Sequence, residues 1–309
     1  MNLLRLLVLA AGRALTWSIH AQPAKGTYNG LFLSTNGVCL DNSGSITITT
    51  AGAGAFSGKL QIGKMSAPIS GTFTGGVFEH RITLAKQSLS VQLQWEASSA
   101  RITGSVSGAT WNAILTSDRA AYDGKVLVAP QAGHYTFVIP GSTNSPNLPV
   151  ADGYGTVSVT TAGRLSLAGL LADGTKITES TSLSTNGQWP LFGSLYNGMG
   201  SVVSWVTFTN DGQTAFNGTL HWIKPANATA KYFPAGFTNQ TEILGFVYNQ
   251  PAKGDGVLEF TIGAVTLDGG NLAQSLTNHV LVDDNNRVNN LDQNRLSMSI
   301  IPATGAFRG

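Results

Sequence analysis

Gly26-Thr27-Tyr28-Asn29-Gly30-Leu31-Phe32 is answered about 110 residues later by Gly133-His134-Tyr135-Thr136-Phe137-Val138-Ile139, and this pairing decides how the chain is read. Later landmarks follow in the same order. Ser45-Ile46-Thr47-Ile48-Thr49 with Gly54-Ala55-Phe56-Ser57-Gly58 matches Thr156-Val157-Ser158-Val159-Thr160 with Gly163-Arg164-Leu165-Ser166-Leu167-Ala168-Gly169. Arg101-Ile102-Thr103-Gly104-Ser105-Val106 matches Ala215-Phe216-Asn217-Gly218-Thr219-Leu220. A self-similar period of this length is a repeated domain, not a turn of a solenoid, whose repeats span about 20 to 50 residues.

Within each repeat the periodicity is two. Val91-Gln92-Leu93-Gln94-Trp95 and Ile46-Thr47-Ile48-Thr49 alternate apolar with polar residues, the signature of strands with one buried and one wet face. Gly, Asn, Asp and Ser punctuate these runs at the spacing of antiparallel strands joined by tight turns. The first repeat predicts eight strands, near 27–33, 43–50, 55–62, 66–73, 77–84, 88–95, 100–107 and 110–117. Short connections favour a meander, because a Greek key needs a long crossover. The expected fold is therefore all-β, with tandem antiparallel up-and-down barrel-like units; β-sandwiches are the alternative. Glycines inside strands, at Gly58, Gly71, Gly104, Gly169, Gly193 and Gly218, favour closure, since small barrels bend at such positions.

The expected division is 1–21 as a signal peptide, 22–125 as the first unit, 126–236 as its repeat, and 237–309 as a partial, truncated third unit. That third unit is read from Gly245-Phe246-Val247-Tyr248 and from Leu296-Ser297-Met298-Ser299-Ile300 with Gly305-Ala306-Phe307-Arg308-Gly309. In the first segment Arg5 precedes the apolar run Leu6-Leu7-Val8-Leu9-Ala10-Ala11, and Ile19-His20-Ala21 forms a cleavage site before Gln22. Arg13 shortens the apolar stretch, but the order of charge, apolar run and site is that of an export signal. The expected location is secreted or cell-surface, with no transmembrane helix.

Composition narrows the function classes. Only 11% of the 309 residues are charged, the net charge is +2, and no basic run occurs, so there is no electrostatic footprint for nucleic acid. The 37 glycines are consistent with a turn-rich β protein, and 42% apolar residues suffice for a core. The single cysteine, Cys39, cannot form an intrachain disulfide and is read as a small packing residue.

No arrangement of residues specifies catalysis. The five histidines, His20, His80, His134, His221 and His279, are dispersed, and no zinc, nucleophile-elbow or phosphate-loop motif is present. Glu79-His80 places acid and base on opposite faces of one strand. Asp123, Asp152, Asp173, Asp211 and Asp268 stand beside glycine in turn contexts. The oxygen-rich loop Asp283–Asp292 lacks the order of a calcium loop and contains Arg287, so it is read as a polar turn. Trp95, Trp111, Trp189, Trp205 and Trp222 lie in strand-like patterns and are expected in the core, where an exposed row would instead indicate sugar stacking. No catalytic, cofactor-binding or metal site is assigned, and no cofactor is expected.

The run Pro130-Gln131-Ala132-Gly133-His134-Tyr135-Thr136-Phe137-Val138-Ile139-Pro140-Gly141, with Asp152-Gly153-Tyr154-Gly155-Thr156-Val157 and Leu171-Ala172-Asp173-Gly174-Thr175-Lys176, resembles an uncharacterised tandem β-repeat of large exported proteins from Verrucomicrobia-type environmental bacteria. Asn186-Gly187-Gln188-Trp189-Pro190-Leu191 and Phe237-Thr238-Asn239 belong to the same pattern. The resemblance implies export and a place beside other β modules. It carries over no functional residue. The expected function is a non-enzymatic structural or adhesive module, with a carbohydrate or small-ligand module and a glycan-active hydrolase as alternatives. Expected partners are other β modules of the same protein or surface glycans, and not nucleic acid.

Overall fold

The computed structural model describes residues 23–96, 99–142, 145, 147–209, 214–268 and 272–309; the expected signal peptide lies outside them. Eight strands form the first sheet: β1 (Gly26–Ser34), β2 (Ser43–Gly52), β3 (Ala55–Ile62), β4 (Met65–Thr72), β5 (Val77–Leu84), β6 (Gln87–Glu96), β7 (Arg101–Ser107) and β8 (Asn112–Ala120). All eight strands expected in the first repeat are present, with ends shifted by at most a few residues. The second sheet comprises β9 (Gly133–Ile139), β10 (Gly153–Val159), β11 (Arg164–Leu170), β12 (Lys176–Ser182), β13 (Gln188–Leu195), β14 (Gly200–Phe208), β15 (Phe216–Lys224) and β16 (Phe237–Val247).

Both sheets have the same topology. In the first, β1 pairs with β2 on one side and with β8 on the other, so the first and last strands meet. The ladder ends instead at β4 and β5, giving the order β4-β3-β2-β1-β8-β7-β6-β5; the second sheet repeats it as β12-β11-β10-β9-β16-β15-β14-β13. Each is an antiparallel meander curled into a nearly closed barrel, with the seam between its fourth and fifth strands.

Register keeps the repeat at several positions and shifts it at one, since Tyr28 faces Ile48 where Tyr135 faces Val157, two residues from the match read in sequence. Gly30 faces Ser117, and Phe137 faces Gly245 at the corresponding position; Gly104 faces Leu93, and Gly218 faces Val206. Tyr28 Oη donates to the Ala24 carbonyl and Tyr135 Oη to the Gln131 carbonyl, each four residues back, at 2.9 and 2.7 Å. In both units the interior follows the alternation seen in sequence. Tyr28, Phe32, Ile46, Ile48, Leu60, Leu89, Val91, Leu93 and Ile102 fill the first barrel; Phe137, Val157, Leu165, Trp189, Leu191, Val202, Val206, Phe216 and Leu220 fill the second.

One expected boundary moves. Phe237–Val247, assigned in sequence to a third unit, pairs with both β15 and β9 and is the eighth strand of the second barrel. Gly245-Phe246-Val247 therefore closes the second unit and does not open a third. The reason lies in loop length: β7 and β8 are joined by the short turn 108–111, whereas 225–236 separates β15 from β16, and this insertion displaces the last strand in sequence. Beyond it, β17 (Ile262–Leu267), β18 (Leu276–Val282) and β19 (Val288–Asn290) form a three-stranded sheet, and β20 (Ser299–Ile301) pairs with β21 (Ala306–Arg308).

Gly245 shows why glycine is needed inside these strands. A Cβ there would stand 2.1 Å from the Phe216 ring, whereas at Gly133 the nearest atom would be 3.6 Å away. Gly245→Ala is expected to lower stability by about 1–3 kcal/mol through overpacking, and Gly133→Ala to change it little; urea unfolding of the two variants measures the difference.

Candidate functional site

Among the described residues, a cluster of ionisable and hydrogen-bonding groups largely removed from water lies at one end of the second barrel. Asp173 comes from the β11–β12 turn, Tyr196 follows β13, and Trp222 and Lys224 end β15. Leu220, Trp222 and Lys224 alternate along one strand, so the inward face that buries the first two carries the third inward as well. Lys224 Nζ lies 2.6 Å from Asp173 Oδ2, with side-chain exposures of 7% and 0%. Tyr196 Oη donates to the same carboxylate oxygen at 2.7 Å, and Trp222 Nε1 donates to Tyr196 Oη at 3.0 Å. Lys224 Nζ also stands 4.4 Å from the Tyr196 ring centroid, a cation–π contact.

These contacts set the proton affinities. Burial raises the Asp173 carboxyl, but the hydrogen bonds from Lys224, Tyr196 and Thr175 outweigh it and hold the group below its ordinary range. The Tyr196 phenol is pushed up, first by burial and then by its bond to Asp173. The cluster is thus a carboxylate, an ammonium and a neutral phenol closed on one another.

A second buried acid lies at the seam. Glu179 Oε1 accepts from the Phe192 N–H at 2.9 Å, and Oε2 accepts from Trp189 Nε1 at 2.9 Å. Since β12 and β13 make no ladder, the carboxyl occupies the place of a backbone acceptor for the edge of β13. Burial pushes Glu179 up to about 8 against those two hydrogen bonds. At the seam of the first barrel the contacts are apolar: Phe78 packs edge-on against Phe56 at 4.8 Å between centroids, with Phe73 alongside.

The barrels touch through outward-facing side chains, Leu31 of β1 against Phe192 and Val203 of β13 and β14, flanked by Leu33, Val38 and Trp205. Beside this contact a polar cleft of about 190 Å³ is lined by Arg101, Thr116, Asp118, Gln188 and Trp205. Its charges are paired: Arg101 Nε and Nη2 donate to the two Asp118 oxygens at 2.6 and 3.2 Å, the two-pronged geometry that guanidinium and carboxylate favour.

The residues singled out in sequence fare differently. Glu79 and His80 are both exposed, and among the described residues no salt bridge involves either. Asp123 and Asp152 serve turns, accepting backbone N–H groups of 125–127 and of Gly141. Asp173 does more than its turn context indicated, because its second oxygen enters the barrel; Asp211 lies outside the described residues. In the Asp283–Asp292 loop, Asp283 Oδ1 accepts from the N–H groups of Asn285 and Arg287, and Asp292 from that of His279, the pattern of a polar turn. Cys39 is exposed, not packed, and its backbone bonds the Asn42 and Ser43 side chains. Trp95, Trp189 and Trp222 are buried as expected, while Trp111 and Trp205 are only partly so. Sequence reasoning missed Glu179 and Lys224. The signal was present, since each stands two residues after an inward apolar residue, Ile177 or Trp222.

No family model and no curated protein matches the chain. Among solved structures it is similar to a protein of unknown function from the DUF3598 family of Nostoc punctiforme, at 11% identity over 72% of this chain and 96% of that one, with a TM-score of 0.22. It is also similar to a candidate outer membrane protein of Bacteroides fragilis, at 10% identity over 72% and 97% of the two chains, TM-score 0.22. A variant of transferrin binding protein B from Haemophilus parasuis follows, at 11% identity over 66% and 53%, TM-score 0.15. These scores are too low to carry a role from those proteins to this one.

Proposed function

We propose that the chain is a non-enzymatic structural or adhesive module of an exported bacterial protein, two barrels in tandem working alongside other β modules or against surface glycans. The observation that carries this reading is the filled interior of both barrels. Trp189, Phe208, Phe216 and Tyr135 stack at one end of the second barrel with centroids 5.1–5.8 Å apart, and Asp173, Tyr196, Trp222 and Lys224 close the other. Acid and base groups sealed in this way bond one another and are shut off from a substrate, which a general acid or base must reach within hydrogen-bond distance. Their role is closure. Export is supported by the Arg5 to Ala21 segment and by the scarcity of charge.

Expression of the full chain in a bacterium with an intact export pathway tests both parts. The mature N-terminus is expected at Gln22 by mass spectrometry, and the purified protein is expected to leave a panel of glycoside and ester substrates unhydrolysed. Retention of Met1 in the cytoplasm would overturn export. Hydrolysis abolished by Glu179→Ala or Asp173→Ala would overturn the non-enzymatic reading.

A further inference from the structure

The two barrels differ at corresponding mouths. Tyr196-Asn197 of the second unit and Ala85-Lys86 of the first both follow the fifth strand, and both have left-handed backbone, with φ of 50° and 58° against 53° and 64°. Ala85 therefore stands where the second barrel has Tyr196. Counting on from Gly104 and Gly218, which face Leu93 and Val206, Gly108 stands where the second barrel has Trp222. Two of the groups that close one mouth are thus reduced to a methyl and a hydrogen in the other. The β3–β4 turn, Gly63-Lys64, also lacks an acid corresponding to Asp173.

The first mouth holds an open cleft of about 490 Å³ lined by Ser34, Asn36, Asp41, Gln87, Thr110 and Trp111, among others, within the range typical of small-molecule sites. Trp111 lies over Gly108, where a Cβ would come within 2.5 Å of its Nε1; the indole is partly exposed and lines the cleft. Its N–H donates to Gln87 Oε1 at 3.3 Å, a bond that ties the ring to a second residue of the cleft lining. Across the cleft the 37–42 loop is held by Asn42, which accepts from the Cys39 N–H at 2.8 Å and donates to the Gly37 carbonyl at 3.0 Å, so the rim carrying Asn36 and Asp41 is built in advance.

We propose that this mouth binds a neutral saccharide, one pyranose ring stacking on Trp111 while Asn36, Asp41, Gln87 and Thr110 bond its hydroxyls. An apolar ring face beside neutral donors and acceptors and a single carboxylate matches a sugar, which has a C–H face and a rim of hydroxyls. An anionic ligand would meet Asp41 without a compensating cation in the lining. A quaternary ammonium prefers a cage of several aromatic faces, and this cleft has one. The site rests on the adhesive part of the proposed function and gives it a ligand class; the structural part requires no ligand and stands if no saccharide binds.

The full chain is screened on an array of neutral oligosaccharides built from glucose, galactose, mannose and N-acetylglucosamine, and hits are titrated by calorimetry with tryptophan fluorescence as a second readout. At least one oligosaccharide is expected to bind and to perturb the fluorescence. Trp111→Ala is expected to weaken it about tenfold, and Asp41→Ala, at an exposed rim position, severalfold. Thr110→Arg, in an exposed turn, blocks the cleft and tests the site even if Trp111→Ala fails to fold. Absence of any saccharide binding overturns the proposal, as does binding unchanged by Asp41→Ala and Thr110→Arg, or a preference for tetramethylammonium over every sugar.

Discussion

Lys224→Met is expected to destabilise the protein by about 3–5 kcal/mol, the usual result of removing one partner from a buried ion pair. The methylene stem keeps its packing, so the loss reports the charge. Asp173, with a fully buried side chain, would retain a negative charge with only Tyr196 and Thr175 to bond it, or take up a proton and forfeit the arrangement around Tyr196. Lys224→Met combined with Asp173→Asn is expected to recover much of the loss, because the neutral amide oxygen can still accept from Tyr196 Oη and no unpaired charge remains. Urea unfolding of the two single variants and the double variant gives the coupling directly; a pair contributing nothing would show additive losses. The pair also fixes the acid limit. With its folded carboxyl held below the ordinary value, Asp173 contributes stability above the unfolded pKa, and that contribution disappears as the pH falls through the folded one.

Glu179 acts in the opposite sense and over a higher range. Its folded pKa is about 8 against an ordinary value of 4.5, so the folded chain holds a proton that the unfolded chain has lost. Stability from this group is complete below the unfolded value and falls as the pH rises toward 8, by an amount on the order of 4–5 kcal/mol over the whole interval. His221, whose pKa burial lowers from its ordinary 6.5, opposes this slope on the acid side of that value, and Asp173, held below its ordinary 3.8, acts at the acid end. The comparison is therefore with Glu179→Ile, which removes the ionisable group while filling the seam. At pH 5 the variant is expected to be the less stable, since the Phe192 and Trp189 N–H groups lose their acceptors at about 1–3 kcal/mol each. By pH 8.5 the gap should close or reverse. Parallel pH profiles for the two proteins would rule out Glu179 as the source of the slope.

Much of the architecture was legible in the sequence, and particular residues show why. The alternation in Val91-Gln92-Leu93-Gln94-Trp95 selects both strand and inward face because side chains on a strand point to opposite sides in turn. Gly58 and Gly104 mark close approaches: a Cβ would stand 2.3 Å from the Thr47 carbonyl oxygen at the first and 1.9 Å from that of Gln92 at the second. Such signals are local, and they recur in matched order across the two units. The place of β16 was not legible, because a longer loop shifts the strand in sequence without moving it in the sheet. The inward phase of Lys224 and Glu179 was written in the alternation with Trp222 and Ile177, but what encloses them was not, since their partners come from strands far away in the chain.

The sequence by itself determined an all-β chain built from repeated eight-strand meanders, because strand period and turn chemistry act over a few residues. Only the tertiary structure decided which edges meet, that β1 joins β8 and the seam falls at the fourth and fifth strands, and that one mouth is closed by an ion pair while the other stays open beside Trp111. Those outcomes depend on long-range register and on which side chains share an enclosed volume. Ala85 and Tyr196 occupy corresponding turns, yet their difference matters only once eight strands have brought the rest of the mouth around them.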